Sequence, residues 1–285
     1  MQNYEILCRL TLIYYFYCFN IFLNENTQFK KLFREHPFTF QKKKKNSIGF
    51  VPTMGALHKG HLSLVKKALK ENDCVVVSVF INPTQFDNPA DLEKYPRTLE
   101  NDLILLNSIS EKIIVFSPVA SELYSQNISS KRYAFSGIEQ EMEGKHRAGH
   151  FDGVGTVLNL LFKVVTPSKA YFGEKDFQQL QIVKELVKIE RLPVNIIGCP
   201  IVREKNGLAM SSRNKRLSKE EFEKAALIYS VLKKVKEKFH NLSFENLNQL
   251  VEDEFKKSDF FTLEYFEIAN SSTLKTGVVK LKNIK

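Results

Sequence analysis

The chain has 285 residues, of which 43% are hydrophobic and 26% charged, a balance that excludes a fibrous or disordered protein. Its length suffices for one large domain or two modest ones. The formal net charge of +10 would suit a nucleic-acid or anionic-membrane surface. However, the lysines are spread over stretches typical of solvated helix faces and loops, and a basic protein suits an anionic small substrate equally well.

The first 46 residues precede the first predicted strand, and we expect an N-terminal extension and lead-in segment over residues 1–46. Residues 6–23 are nearly all apolar or aromatic, with interruptions at Arg9, Thr11 and Asn20. This stretch is at the short limit for a membrane span, and no small-residue cleavage site follows it. A membrane anchor stays an alternative, while an amphipathic segment or extra residues ahead of the domain start is the favoured interpretation.

From Ser47 onward, short apolar runs alternate with helical stretches, the pattern of a parallel α/β sheet. The predicted strands are 47–52, 74–82, 112–116, 169–172 and 194–198. The predicted helices are 62–72, 98–109, 153–165 and 176–191. The run at 74–82 is β-branched and apolar on both faces, as a central parallel strand should be. We therefore expect a Rossmann-like domain over residues 47–200.

Beyond Ile201 the pattern changes. Two charged amphipathic helices are predicted at 217–242 and 244–257, followed by an edge strand at 262–269. This predicts a second, smaller α+β domain over residues 201–285.

The four cysteines are Cys8, Cys18, Cys74 and Cys199, and they form neither a Cys-x-x-Cys pair nor a metal-ligand spacing with histidine. Cys74 and Cys199 lie in apolar runs and are predicted to be small buried hydrophobes. Neither a zinc site nor a disulfide framework is indicated, so we expect a reducing compartment and a cytoplasmic location.

The strongest motif follows the first predicted strand, at residues 52–61, with the sequence Pro-Thr-Met-Gly-Ala-Leu-His-Lys-Gly-His. In an open α/β sheet, ligands bind at the carboxyl ends of strands, and a helix N-terminus there favours phosphate. His58 and His61 are three residues apart across Gly60, so both imidazoles can donate a hydrogen bond to a phosphoryl oxygen. Two ordinary turn histidines are the alternative, and zinc is poorly supported because no third ligand is evident.

A second motif, Met-Ser-Ser-Arg at residues 210–213, offers hydroxyls beside a guanidinium that can bind phosphate oxygens. The order of a His-x-Gly-His turn and a later Met-Ser-x-x loop resembles the nucleotidylyltransferase superfamily. Enzymes of this superfamily attack the α-phosphate of ATP and release pyrophosphate.

Four further segments narrow the resemblance. They are Phe-Ile-Asn-Pro-Thr-Gln-Phe at 80–86, Tyr-Pro-Arg-Thr at 95–98 with Asp102, Arg-Ala-Gly-His-Phe at 147–151, and Gly-Glu-Lys-Asp-Phe-Gln-Gln-Leu at 173–180. In register from about Ile48 to Leu217, the chain resembles the pantothenate synthetase family. The resemblance implies ATP-dependent condensation of (R)-pantoate with β-alanine through a pantoyl-adenylate. It also implies a Rossmann-like nucleotidylyltransferase domain with a C-terminal lid domain.

The resemblance assigns roles to individual residues. It implies that ATP is bound by Met54, Gly55, Ala56, Leu57, His58, Lys59, Gly60, His61, Gly173, Glu174, Lys175, Asp176, Val202, Met210, Ser211, Ser212 and Arg213. The implied catalytic residues are His58, His61, Lys175 and Arg213, with His61 as the family's proton donor. Gln85 and Gln179 match the glutamines that hold pantoate, and Gln85 is also placed near β-alanine.

Two acidic residues have plain alternatives. Asp102 resembles a carboxylate that helps to hold Mg²⁺, but a salt-bridged helix aspartate would fit its position as well. Asp176 falls in the implied ATP segment and would also serve as a helix N-cap.

The family also implies a homodimer, with no nucleic-acid or membrane partner. The chain departs from the family by reaching its first strand late and by ending before a further expected strand. An upstream mis-start and a C-terminal truncation are hypotheses for these two differences. The competing interpretations are a related adenylate-forming or nucleotidyl-transferring enzyme with a different acid, and a basic RNA- or membrane-binding protein that kept only the fold.

Overall fold

The sheet is built from five strands in a computed structural model that describes residues 47–124 and 127–276. The strands are β1 (Ile48–Thr53), β2 (Cys74–Val79), β3 (Ile113–Phe116), β4 (Lys169–Gly173) and β5 (Asn195–Cys199). Their order is β3-β2-β1-β4-β5, and every neighbouring pair is parallel. The predicted parallel α/β sheet is confirmed. The interpretations placed on residues 1–46 and on the end of the chain from residue 277 lie outside the described residues.

Ten α-helices are described. They are α1 (Lys59–Glu71), α2 (Pro89–Glu93), α3 (Leu99–Asn107), α4 (Ala120–Tyr124), α5 (Glu143–His146), α6 (His150–Val165), α7 (Phe177–Ile189), α8 (Lys219–Lys224), α9 (Ala226–Lys238) and α10 (Phe244–Lys256). Short 3₁₀ turns cover Pro83–Gln85, Ile138–Gln140, Glu174–Asp176 and Ser212–Arg216. No helix in the described ranges has both the length and the apolar content that a membrane crossing requires.

The core lies on both faces of the sheet because side chains alternate along each strand. On β1, Phe50 packs into a cluster with residues of α6 and α7, whereas Val51 packs on the opposite face with residues of α1 and α3. Cys74 and Cys199 are buried, which confirms their prediction as small hydrophobes. The direction of the crossovers reverses at β1 and β4, so a crevice is expected at the carboxyl ends of these two strands.

Helices α9 and α10 carry a small core of their own, in which Val231, Val235, Leu247 and Val251 are buried. The predicted helix at 217–242 is divided, because α8 ends at Lys224 and α9 begins at Ala226. The predicted edge strand at 262–269 is wrong: among the described residues Ala269 makes only an isolated antiparallel bridge with Thr276. The alternation of apolar residues at 262–269 was not sufficient to form a strand, because a strand also needs a neighbouring strand to satisfy its backbone N–H and C=O groups.

Two boundary errors lie at the edge where ligands are expected. The strand predicted at 74–82 ends at Val79, because Asn82 turns the chain by accepting the N–H of Thr84 at the start of a 3₁₀ turn. The helix predicted at 62–72 begins at Lys59, because the imidazole of His58 caps its N-terminus. Histidine is not among the residues that usually signal an N-cap, so the sequence pattern missed this start.

Replacing Gly153 with alanine is expected to destabilise the protein by about 3 kcal/mol. Gly153 lies where α6 crosses the 3₁₀ turn that carries Gln85, and an added Cβ would come within 2.4 Å of the Thr84 carbonyl oxygen. The Thr84 oxygen and the nearby Gln85 Cα are both backbone atoms, so either α6 or the 3₁₀ turn would have to move. Urea unfolding would measure the loss. Gly173→Ala is the control, because its nearest heavy atom would lie at 3.9 Å; equal stabilities of the two variants would contradict the prediction.

Candidate active site

The turn between β1 and α1 is strained and is held from both sides. Gly55 and Ala56 have φ values of 79° and 50°. The Asp102 carboxylate accepts the N–H of Ala56 at 2.9 Å and the N–H of Leu57 at 2.7 Å. The Ser212 hydroxyl donates to the Ala56 carbonyl oxygen at 3.0 Å, which ties the Met-Ser-Ser-Arg segment to this turn. A non-glycine residue with positive φ is stable only where such contacts fix it.

Asp102 is 1% exposed, and each of its carboxylate oxygens accepts a backbone N–H. Burial raises the pKa of this carboxyl group, while the hydrogen bonds from Leu57 and Ala56 act in the opposite direction. These contacts make Asp102 the residue that shapes the turn. At this burial the carboxylate has little access to a direct Mg²⁺ ligand role, and the Mg²⁺ assignment stays a prediction.

The two histidines have the same tautomer. The Gly60 N–H donates to His58 Nδ1 at 3.1 Å, and the His58 N–H donates to His61 Nδ1 at 3.3 Å. Because Nδ1 accepts in both rings, a neutral ring carries its proton on Nε2. The ring centroids are 4.0 Å apart, so the chain places two N–H donors side by side at the N-terminus of α1.

Both imidazoles are neutral near pH 7. Burial, with a contribution from the Lys175 charge, lowers the pKa of His58 to about 4. Burial, His58 and Lys175 together lower the pKa of His61 to about 3. In this state the rings donate hydrogen bonds without adding positive charge. A literal proton transfer by His61 stays a prediction, and the geometry favours a hydrogen-bond donor.

The protein is expected to lose stability as pH falls from about 6.5 towards 4. Unfolded histidine takes up a proton near its ordinary pKa of about 6.5, whereas the folded rings resist protonation. A depressed pKa in the folded state gives stability that is present above the unfolded pKa and lost as pH falls through the folded pKa. Urea unfolding at several pH values would measure it. The double variant His58→Gln/His61→Gln should show a flatter profile than the exposed control His240→Gln, and equal slopes would contradict the assignment.

The cavity beside these histidines has a volume of about 420 Å³. The residues predicted as site residues that line it are Met54, His58, Gly60, His61, Gln85, Gly173, Lys175, Asp176, Gln179, Val202, Met210, Ser211, Ser212 and Arg213. The cavity therefore brings the two phosphate motifs and both glutamines together. Gly55, Ala56, Leu57, Lys59 and Glu174 do not line it, and the first three shape the turn through their backbone.

Two cations approach the cavity from opposite segments. Lys175 lies in the 3₁₀ turn after β4, and its Nζ is 2.9 Å from the Asp176 carboxylate. Arg213 lies in the 3₁₀ turn Ser212–Arg216 and pairs with Asp91 at 2.6 Å. Each cation has a carboxylate partner, and both side chains line the cavity, where their remaining N–H groups can donate to an anion.

The Gln85 side chain is held in the cavity wall by neighbouring side chains. Gln85 Nε2 is 3.1 Å from Met54 Sδ, and its Oε1 accepts from Asn82 Nδ2 at 3.3 Å. The Tyr124 hydroxyl in turn donates to Asn82 Oδ1 at 2.5 Å. Each end of the Gln85 amide has one such partner, so its second N–H and its second oxygen lone pair can serve a substrate.

Several lining residues were not assigned a role from the sequence. His150 Nδ1 donates to the Gln85 carbonyl oxygen at 2.7 Å, and Arg147 lies 3.3 Å from the other ring nitrogen of His150. Both belong to a segment that carried the family resemblance, so the motif itself was the available signal. Tyr265 has no such signal, because it reaches the cavity only through the packing of the C-terminal region.

The C-terminal region contacts the rim of the cavity through α5. The Tyr265 hydroxyl donates to the Glu143 carboxylate at 2.8 Å, and its ring stacks on His146 with centroids 4.6 Å apart. Lys145 pairs with Glu267 at 2.9 Å. These contacts place the C-terminal region over one wall of the cavity, and a lid role for it stays a prediction.

An open parallel sheet with paired imidazoles at a helix N-terminus, facing a Ser-Ser-Arg segment across one cavity, defines an enzyme of the nucleotidylyltransferase type. The sequence model of the family described as pantoate–β-alanine ligase matches residues 23–284. The chain belongs to this family.

Individual relatives agree with the family match. The chain is 56% identical over 250 residues to a pantothenate synthetase of Christiangramia forsetii, covering 86% of this chain and 88% of that protein. A crystal structure of pantothenate synthetase from Thermus thermophilus superposes with a TM-score of 0.78 at 39% identity, covering 84% of this chain and 86% of that one. A pantoate–β-alanine ligase from Francisella tularensis, solved with β-γ ATP and β-alanine, gives a TM-score of 0.68 at 41% identity, covering 76% and 82% of the two chains.

Proposed function

We propose that the protein condenses (R)-pantoate with β-alanine at the expense of ATP, passing through a pantoyl-adenylate and releasing pyrophosphate and AMP. The observation that carries the proposal is one cavity that joins His58, His61, Lys175 and Arg213 to the amides of Gln85 and Gln179. Family membership and the relative solved with β-γ ATP and β-alanine support it. Its product would be pantothenate, the precursor of coenzyme A.

In the first step, the triphosphate lies at the N-terminus of α1, between Lys175 and Arg213. A pantoate carboxylate oxygen, with the acid held by Gln85 and Gln179, attacks the α-phosphorus as the bond to pyrophosphate breaks. Negative charge grows on the phosphoryl oxygens, and the Nε2–H groups of His58 and His61 donate to them. Each such donor contributes on the order of 10²–10³ in rate in enzymes where it has been removed.

In the second step, the amine of β-alanine attacks the acyl carbon of the mixed anhydride. The acyl–oxygen bond to AMP breaks, the amine loses a proton and the amide of pantothenate forms. No protein nucleophile is required, because the adenylate is already an activated acyl group. Positioning carries much of the catalysis and can supply about 7–11 kcal/mol. Water exclusion by the C-terminal region would protect the adenylate from hydrolysis.

Mg²⁺ is proposed as the companion of ATP. The described residues contain no group of three or more His, Cys, Asp or Glu side chains arranged to hold a metal ion. Magnesium bound to nucleotides commonly keeps several waters and takes its other ligands from phosphates and one or two carboxylates. Since both Asp102 oxygens are engaged in the turn, we assign no mechanistic step to a metal held by this residue.

The assay for this function combines the protein with ATP, Mg²⁺, pantoate and β-alanine and measures AMP. Pyrophosphate exchange with a panel of acids separates the proposal from a related enzyme, because only the true acid should drive exchange. Exchange driven by another acid, with none by pantoate, would overturn it. Salt-sensitive binding to RNA or anionic vesicles without ATP turnover would instead support the basic binding protein. The homodimer is proposed from the family resemblance and the cytoplasmic location from the cysteine pattern, and sedimentation and cell fractionation would test them.

A further inference from the structure

The segment after the Met-Ser-Ser motif is tied to α2 by one carboxylate. Asp91 accepts from Arg213 Nη2 at 2.6 Å and Arg213 Nε at 3.5 Å, and from Arg216 Nη1 at 3.0 Å. Arg216 also donates to the Lys94 carbonyl oxygen at 3.0 Å. The two arginines lie more than 120 positions after the residues they contact, so the contacts join two separate segments of the chain.

Asp91 holds one side of the Arg213 guanidinium. It takes Nε and Nη2, which leaves the Nη1 group for a ligand, and Arg213 lines the cavity whereas Asp91 does not. Tyr95, buried at 5% exposure, lies beneath the cation, with Arg213 Cζ 5.7 Å from the ring centroid. Ring and carboxylate together restrict a side chain that would otherwise sample many rotamers.

The charges agree with this geometry. The hydrogen bond from Arg213 is the largest cause that lowers the pKa of Asp91, and Arg216 adds to it. Arg216 also forms an ion pair with Asp91, so this single carboxylate is shared between two arginines. The positive charge of Arg213 is therefore not fully neutralised and stays available to an anion.

We propose that Asp91 is the positioning residue of the ATP site, which fixes Arg213 with its Nη1 group towards the triphosphate and is itself anchored by Arg216. The inference rests on the proposed ATP site and adds the residue that pre-organises the Arg213 cation. A pre-oriented guanidinium loses less entropy when a phosphate binds, so Asp91 tightens ATP binding although it is itself an anion.

A double-mutant cycle tests this inference. The dissociation constant of ATP is measured by calorimetry, without acid substrate, for the wild type, Asp91→Ala, Arg213→Ala and the double variant. Because the pair is partly exposed, Asp91→Ala should raise the dissociation constant about fivefold in the wild-type background. In the Arg213→Ala background it should have no weakening effect, because Asp91 acts through Arg213. Glu93→Gln, exposed on the same helix, is the matched control and should bind ATP as the wild type does.

The other outcomes are decisive as well. Tighter ATP binding in Asp91→Ala would mean that the carboxylate competes with phosphate, and an unchanged constant would mean that it does not position Arg213; either overturns the inference. Equal weakening in both backgrounds would indicate a general structural effect and would also overturn it. Wild type that binds ATP but forms no pantothenate would refute the proposed function alone. Wild type that binds no ATP would refute both.

Discussion

Replacing His61 with alanine should reduce the rate of pantoyl-adenylate formation by about 10²–10³-fold. His61 Nε2–H is one of the two imidazole donors at the N-terminus of α1, and its loss leaves the growing phosphoryl charge with the His58 donor alone. Pyrophosphate exchange in the presence of pantoate would measure this step separately from amide formation. The protein should stay folded, because the rest of α1 packs through Leu64, Val65 and Ala68.

Two further substitutions divide the roles of His61. Asparagine can accept the His58 N–H in place of Nδ1 but is too short to reach the phosphate, so His61→Asn should keep the helix cap and lose the rate. Glutamine extends further and can restore a donor near the Nε2 position, so His61→Gln should recover part of the rate. His240→Ala, at an exposed histidine of the C-terminal region, is the control. Normal exchange in His61→Ala would contradict the central assignment.

Asp102→Asn is expected to destabilise the protein by about 2 kcal/mol and to lower adenylate formation in the same variant. The asparagine amide keeps one acceptor and turns an N–H₂ group towards a backbone N–H of Ala56 or Leu57, both of which are buried. One donor is left unsatisfied, and the positive φ of Ala56 loses its support. His58, which caps α1, follows directly after this turn. A shift of the turn should therefore displace the His58 imidazole and lower the rate of adenylate formation.

The same variant distinguishes the two roles considered for Asp102. If it shapes the turn, urea unfolding shows the loss of stability, and the Mg²⁺ concentration for half-maximal activity stays at the wild-type value. If instead it holds Mg²⁺, the variant unfolds like the wild type and needs more Mg²⁺. Glu100→Gln, exposed on the same first turn of α3, should leave both properties unchanged.

Much of the fold was predictable because it depends on local patterns. The buried strand Cys74–Val79 and the helices α6 and α7 have the composition and periodicity of their elements. The failures have two different causes. The strand predicted at 262–269 needed a neighbour that a local pattern does not provide, and the start of α1 depended on an unusual histidine cap.

For the site, the sequence by itself determined the residue types and their places at loop edges. His58, His61 and the two glutamines follow strands of a parallel sheet, whose carboxyl ends meet at one edge, so their convergence was predictable. Their lining of one cavity fits this expectation, while their chemical roles stay proposals. The His-x-Gly-His motif is a short contiguous segment, so it can be recognised in the sequence without coordinates.

Only the tertiary structure decided how these groups are held. Asp102 supports the turn from 45 residues away, Ser212 reaches Ala56 across 156 residues, and Asp91 pairs with Arg213 across 122. The neutral state of the imidazoles likewise follows from burial and from neighbouring charge. None of this has a local pattern, because hydrogen bonding and desolvation depend on distance in space and not on separation along the chain.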